Sequence, residues 1–274
     1  MMDSIALNKK TRITFLILSC IVCILICIGS YSGLAADDFY GKETANWKAQ
    51  SIGQDMINLF LICPFLLVTA VMMLLKKEYA MYLWAGALSY LIYTYLIYCF
   101  NIHFNNYFIV YCSILGLCFY LFIYFIYFQI QKSTIKFEKR NTDKLNAIYF
   151  IIISIAFYFL WLLDIIPAIL DNSIPQGVRE VGLFTNPVQV IDLSIFLPGI
   201  FITGMLLLNQ KPLGRLFSPI LLTFFILMDF TIALLTIVMA KEGVSSGYTV
   251  AYVMAFLALF SLGLLLRTLK TANN

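Results

Sequence analysis

The chain has few charged residues and a single histidine, and both shortages exclude whole classes of protein. Aspartate, glutamate, lysine and arginine together make up 12% of the 274 residues, whereas a soluble domain carries about 25%. This low charge content excludes a soluble enzyme, a disordered chain and a nucleic-acid-binding module. Because His103 is the only histidine, bis-histidine haem ligation, a three-histidine zinc site and an HExxH motif are excluded as well.

The sequence also lacks cysteines outside its apolar segments, so no disulfide between exposed loops is indicated. Three of the seven cysteines, Cys20, Cys23 and Cys27, follow helical spacing on one face of the first apolar segment. They could form a ladder of soft-metal ligands or be small packing residues, and packing is the commoner role. Neither a P-loop nor a dinucleotide fingerprint occurs. We therefore assign no metal ligand, cofactor or catalytic residue.

Long apolar segments are what the sequence has in abundance. Hydrophobic residues make up 62% of the chain, and a helix needs about 20 mostly apolar residues to cross the hydrocarbon core of a bilayer. The sequence therefore predicts an all-α integral membrane protein with eight transmembrane helices. The predicted spans are 13–35, 54–75, 79–100, 107–130, 147–169, 188–208, 216–240 and 248–266.

The distribution of lysine and arginine predicts the orientation of these spans. Four of the 18 basic residues, Lys42, Lys48, Arg179 and Lys241, fall in the loops on one side, and the other fourteen fall in the segments on the opposite side. Because basic residues are enriched on the cytoplasmic side, we expect both termini inside and a multi-pass protein of the plasma membrane.

The first apolar segment has two interpretations that change the number of helices. Lys9 and Lys10 precede it, and Gly33, Leu34 and Ala35 end it, which is also the pattern of a cleaved signal peptide. A retained segment gives eight helices. Cleavage would leave seven helices and an outer amino terminus.

The lengths of spans and loops repeat, which predicts a parallel duplication of a four-helix unit. Residues 1–130 form the first half, 131–146 a basic cytoplasmic linker and 147–274 the second half. In each half the first two spans are joined by a long outer loop, predicted at 36–53 and 170–187. The second span of each half then contains a proline, Pro64 or Pro198, and proline-interrupted helices at matching positions are typical of transport sites.

Four carboxylates lie within the predicted spans, and ionisable residues there are candidates for function. They are Asp55, Asp164, Asp192 and Asp229, and no lysine or arginine shares the spans with them. Asp229 is close to the middle of its span. The other three lie near the outer ends of theirs, where a structural role as helix cap or solvated group is an alternative.

Helical spacing groups polar side chains around these carboxylates. We expect the groups to converge on a polar, aromatic, carboxylate-rich cavity that opens to the outside. An alternative role in the aromatic belt at the membrane interface applies to the tyrosines of the third span, which are Tyr90, Tyr93, Tyr95 and Tyr98. The groups are Gln54, Asp55 and Asn58; Asn186, Gln189 and Asp192; and Tyr90, Thr94, Tyr98 and Asn101.

One further motif points to a different chemistry. Residues 243–247 match G-x-S-x-G, with Ser245 at its centre and His103 expected on the same side of the membrane. A serine hydrolase would place this motif at a strand-to-helix turn. Here it falls in a short connection between helices, where glycine and serine are common.

The sequence favours a proton- or cation-coupled transporter of a small solute. Asp229 is the predicted proton or cation site, and Tyr90 and Tyr98 are predicted to contact the solute. The expected partners are the lipid bilayer and a proton, cation or small solute, without nucleic acid; no oligomeric state is indicated. A non-enzymatic sensor or assembly partner and a membrane hydrolase acting from the outer face remain alternatives. The predicted recognition shell is Asp55, Asp192, Gln54, Asn58 and Gln189.

Overall fold

The computed structural model describes residues 8–36, 38–132, 141–244 and 247–272. All regular structure in these ranges is helical, and eight of the helices are long and apolar enough to cross a membrane. This confirms the prediction of an all-α, multi-pass membrane protein.

The described residues form nine helices, which are numbered here in chain order, and all except the short α6 are membrane-spanning candidates. Their bounds are α1 Lys9–Ala35, α2 Ala45–Leu74, α3 Ala80–Asn101, α4 Phe108–Lys132, α5 Asn141–Leu170, α6 Gln176–Val181, α7 Pro187–Leu208, α8 Pro212–Lys241 and α9 Thr249–Ala272.

The second helix is longer than the sequence predicts. It begins at Ala45, inside the segment 36–53 that was predicted as a loop, and Thr44 caps it by accepting a hydrogen bond from the Trp47 amide at 3.2 Å. The first turns of α2 are polar, so a search for apolar runs detects only the part that begins near residue 54. The segment 170–187, also predicted as a loop, likewise contains the short helix α6.

The eight long helices pack as two similar groups of four. In the first group α1 packs on α2 and α4, and α3 packs on the same two helices. In the second group α5 packs on α7 and α9, and α8 packs on the same two. The groups meet where α3 crosses α8, with α2 against α8 and α3 against α7 on either side.

The crossing of α3 and α8 depends on a glycine. A Cβ atom on Gly86 would lie 2.5 Å from the Cβ atom of Thr223 and 2.9 Å from the carbonyl oxygen of Ile220. Only glycine fits this approach, because real Cβ atoms do not come so close to their neighbours. The two groups of helices therefore pack almost backbone to backbone at the centre of the molecule.

The end of the bundle where α1, α3, α5 and α8 begin is called the basic end here. Arg215, predicted to lie in a loop, is in the second turn of α8, and its Nε atom donates to Asp143 in α5 at 2.7 Å. The Asn146 amide next to this pair donates to Ser218 at 2.9 Å and to Thr268 at 2.8 Å. These bonds connect α5, α8 and α9 at the basic end.

The opposite end, where α2 and α7 begin, is called the acidic end. The His103 ring contacts the Glu43 carboxylate at 2.9 Å, and the Trp47 indole donates to the carbonyl oxygen of Asn101 at 3.3 Å. The first contact joins the connection between α1 and α2 to the residues that follow α3, and the second joins the first turn of α2 to the end of α3. The Thr44 hydroxyl also donates to the carbonyl oxygen of Glu180 at 3.1 Å, which ties the two groups of helices together here.

Helices α2 and α7 share an irregularity at corresponding positions. Each contains one π-helical turn, Asn58–Ile62 in α2 and Asp192–Phe196 in α7. The α-helix that resumes after each turn has a proline at its second residue, Pro64 or Pro198. Proline removes an amide donor and loosens the hydrogen-bonding pattern of the preceding turn, which fits the local change to π geometry.

The connections that follow these helices correspond as well. Each makes a tight turn with one non-glycine residue in the left-handed region, Lys76 with φ 65° after α2 and Gln210 with φ 55° after α7. The π turn, the proline and the left-handed residue of the second group each follow their counterpart in the first group by the same number of residues along the chain.

Candidate functional site

A cavity of about 440 Å³ lies between the two groups of helices. Its wall is formed by α2, α3, α5, α7, α8 and α9, together with α6 at the acidic end. Asn46, Asn186 and the exposed Glu180 line it at the acidic end, and Tyr149 and Phe225 line it towards the middle of the bundle. This volume is typical of a site for a small organic ligand.

Asp229 lines the cavity in the middle third of α8. The residue is only 6% exposed, and its carboxylate has no hydrogen-bond or ion-pair partner among the residues that the structure describes. It shares one helical face with Phe225 and Ile232, which also line the cavity. A buried carboxylate that no protein group satisfies is costly, so this position has the features of a binding or proton-exchange group.

Asp192, by contrast, is held firmly at the cavity wall. The Tyr93 hydroxyl donates to its Oδ1 atom at 3.0 Å and the Trp161 indole donates to its Oδ2 atom at 2.9 Å. The donors come from α3 and α5 and the carboxylate from the first residue of the π turn in α7. These bonds fix the carboxylate in orientation while it still lines the cavity.

Gln54 lines the cavity from α2 and connects three helices. Its Nε2 atom donates to Asn58 at 3.0 Å and to the Tyr90 hydroxyl at 2.7 Å, and that hydroxyl is 2.8 Å from the Thr231 hydroxyl of α8. Asn58 and Tyr90 are fully buried behind the wall, and the Asn58 amide also donates to Ser30 at 3.5 Å. These two predicted site residues therefore contact Gln54 and do not line the cavity.

Asp55 lies outside the cavity wall, although Gln54 beside it is part of the wall. Successive residues of an α-helix point about 100° apart, and Asp55 accordingly faces the connection after α1. Its Oδ2 atom accepts from Tyr40 at 2.6 Å and its Oδ1 atom from Tyr98 at 2.9 Å. Burial and the nearby carboxylate raise the pKa of Tyr40 well above its usual value, so its hydroxyl keeps the proton that it donates.

Tyr98 occupies both environments, because it lines the cavity and donates to Asp55. The alternative role for these tyrosines, in an interfacial belt, is wrong in this structure. Tyr90, Tyr93, Tyr95 and Tyr98 are all at least 94% buried. The hydroxyl groups of Tyr90, Tyr93 and Tyr98 each form a hydrogen bond to a side chain of another helix.

Gln189 also lies behind the wall. Its side-chain amide donates to Asp164 at 3.0 Å, and the same carboxylate accepts from the backbone amides of Gln176 and Gly177 at 3.2 and 3.3 Å. Asp164 thus holds the start of α6 against α5 and α7. This arrangement agrees with the structural alternative for Asp164.

The cavity wall contains an aromatic surface that the sequence analysis did not identify. The rings of Phe196 and Phe224 stack with their centroids 4.8 Å apart, and Tyr93 meets Phe196 edge to face at 4.8 Å. Trp161 and Phe157 extend this surface along α5. Nothing local in the sequence distinguishes these rings from lipid-facing aromatics, because their shared cavity is formed by distant segments.

The alternative of a serine hydrolase gains no support from the described residues. Ser245 lies outside them, and the His103 ring contacts Glu43 at 2.9 Å. Of the cysteines in α1, Cys20 and Cys27 are exposed and Cys23 is buried. No group of three His, Cys, Asp or Glu side chains that could hold a metal ion occurs in the described part of the chain.

Comparison with known proteins returned no match: no family model, no curated protein and no solved structure is similar to this chain.

Proposed function

We propose that this protein is a secondary transporter that couples a proton or cation to the movement of a small solute, with Asp229 as the coupling group. One observation carries the proposal, namely a buried carboxylate that has no hydrogen-bond or ion-pair partner among the described residues and lies at mid-depth in a cavity between two similar groups of helices. Water, a bound cation or a proton has to stabilise such a group there, and the last two are what a coupled transporter exchanges. Asp192, Gln54 and Tyr98 supply the other polar contacts of the proposed site.

The proposal includes a parallel duplication of a four-helix unit. It is supported by the corresponding π turns and prolines of α2 and α7, and by the same packing order in both groups. Asn58 opens the π turn of α2 where Asp192 opens that of α7, so the proposed repeats differ in charge at equivalent positions. Related repeats with a site between them are a common architecture of secondary transporters.

We further propose that the cavity faces outward from the plasma membrane. The basic end carries most of the lysine and arginine, including Lys76, Lys77 and Lys211 in the two tight turns. Under the positive-inside rule this end is cytoplasmic. The acidic end, where Glu180 lines the opening, then meets the exterior, and its carboxylates attract cations towards the cavity.

The test is proton and cation flux into proteoliposomes, with the wild type and Asp229→Asn compared under the same gradients. We expect flux in the wild type and loss of at least nine-tenths of it in the variant, because the amide cannot exchange a proton. Asp229→Glu should retain part of the flux, and Asp171→Asn, at an exposed carboxylate, should retain all of it.

Absence of flux with the wild type under any gradient, in a protein that remains folded, would refute the proposal. The same result would favour the alternative of a sensor or assembly partner. Equal flux in the wild type and Asp229→Asn would show that coupling takes place elsewhere in the molecule.

A further inference from the structure

The charges on the cavity wall select for one class of ligand. Three carboxylates line it, those of Glu180, Asp192 and Asp229, and the described part of the wall includes no lysine, arginine or histidine. An anion would find no counter-charge in the described part of this wall. A cation would be attracted at the acidic end by Glu180 and can replace the proton of Asp229 at mid-depth.

The surroundings of Asp229 argue against a small inorganic cation as the transported solute. Hard cations such as Na⁺ and Ca²⁺ require several oxygen ligands in a compact arrangement. The neighbours of Asp229 along α8 that line the cavity include the apolar residues Phe225, Met228 and Ile232. No cluster of three His, Cys, Asp or Glu side chains occurs among the described residues. An organic cation needs no such oxygen shell, because its charge is spread over a larger and more weakly hydrated group.

Aromatic rings provide the remaining contacts for such a cation. Tyr149 and Phe225 line the deep part of the cavity, where their rings meet edge to face with centroids 5.9 Å apart. Trp161 and Phe157 line its α5 side. Aromatic faces attract cations and also pack well against apolar groups. The same wall therefore suits both the charge and the hydrophobic body of the ligand.

The cavity is also exposed on the side that faces lipid. Leu160 of α5 and Val250 of α9 line it and are 55% and 48% exposed. The polar and ring contacts between α5 and α9 in the described residues lie nearer the basic end, where Tyr149 contacts Ser261 and Phe260. Towards the acidic end, Phe157 of α5 packs against the cluster of Ala233, Ala251 and Met254. Beside this contact, the exposed Leu160 and Val250 extend the apolar wall to the outside of the bundle.

We infer that the cavity binds a lipophilic organic cation, which places its charge against Asp229 and its apolar groups against the aromatic wall, and which enters from the lipid between α5 and α9. This inference rests on the proposed function and specifies the solute. When the cation binds, the Asp229 carboxyl group loses its proton to water and the carboxylate balances the charge of the ligand. One proton therefore leaves for each monovalent cation bound.

The experiment uses two probes of nearly the same size and shape but opposite charge, tetraphenylphosphonium and tetraphenylborate. Binding of each to the full chain in lipid nanodiscs is measured by equilibrium dialysis. We expect saturable binding of tetraphenylphosphonium only, with release of one proton in weakly buffered solution. Asp229→Asn should weaken binding of the cation at least tenfold, whereas Asp171→Asn should leave it unchanged.

Saturable binding of both ions, or of neither, would overturn the inference without any variant being needed. An unchanged dissociation constant in a folded Asp229→Asn protein would overturn it as well.

Failure of the inference is distinguishable from failure of the proposed function. Flux that depends on Asp229, without binding of tetraphenylphosphonium, would retain the transporter and exclude this ligand class. Binding without flux would retain the ligand class and exclude transport.

Discussion

The buried carboxylate of Asp55 allows a quantitative prediction about stability. It is 1% exposed and accepts hydrogen bonds from Tyr40 at 2.6 Å and Tyr98 at 2.9 Å. Tyr98→Phe removes one of these bonds and keeps the ring. Since a hydrogen bond to a charged group contributes about 1.5–3 kcal/mol, we expect the free energy of unfolding to fall by about that amount.

The measurement is the free energy of unfolding from denaturation by SDS in mixed micelles, followed by circular dichroism. Tyr111→Phe is the matched control, because the Tyr111 ring meets that of Tyr98 at 5.2 Å while its hydroxyl makes no hydrogen bond to Asp55. That substitution should lower stability less than Tyr98→Phe does, since it removes no hydrogen bond to a buried carboxylate.

A loss below about 0.5 kcal/mol in Tyr98→Phe would refute this account, because a hydrogen bond to a buried carboxylate contributes more than that. An equal loss in Tyr98→Phe and Tyr111→Phe would refute it too, since the loss would then not depend on the hydrogen bond to Asp55. A double-mutant cycle with Asp55→Asn separates the two contributions: the effect of Tyr98→Phe should shrink when the carboxylate is replaced.

Two further predictions concern the contacts between helices. Asp143→Asn should lower the free energy of unfolding by about 3–5 kcal/mol, because it removes the charge opposite a buried Arg215, and thermal unfolding of the purified protein checks this. Gly86→Ala should cost about 1–3 kcal/mol by forcing α3 away from Thr223 of α8. Gly116→Ala, where nothing lies within 4 Å of the added atom, should be neutral or stabilising in the same measurement.

The membrane-spanning architecture is predictable because its signal is local. A helix that crosses lipid must satisfy its own backbone and present apolar side chains, so each span is visible as a continuous apolar run. The start of α2 was missed for the same reason. Between Ala45 and Gly53 the helix is stabilised by the Thr44 cap and by contacts at the acidic end, and Asn46 and Gln50 line the cavity instead of facing lipid.

The candidate site was only partly predictable, because it depends on contacts between distant segments. Asp229 was predicted because it is close to the middle of a span and no predicted span contains a basic residue. Asp192 was predicted because it follows Asn186 and Gln189 at helical spacing. The separation of Asp55 from the cavity was not visible, since Tyr40 and Tyr98 approach it from other parts of the chain. The role of Trp161 was equally hidden, because the bond to Asp192 joins two helices that the sequence alone does not orient.

The π turn in α7 determines which side chains share the cavity wall. Val188, Asp192, Phe196 and Ile200 all line the cavity at intervals of four residues. In an uninterrupted α-helix each such step turns the face by about 40°, so three steps would carry Ile200 about 120° away from Val188. A π turn contains more residues than an α-helical turn, so it offsets part of this rotation. The π turn thus keeps the Asp192 carboxylate on the same face of α7 as Phe196 and Ile200. Deleting one residue from this turn would rotate the carboxylate away from these side chains.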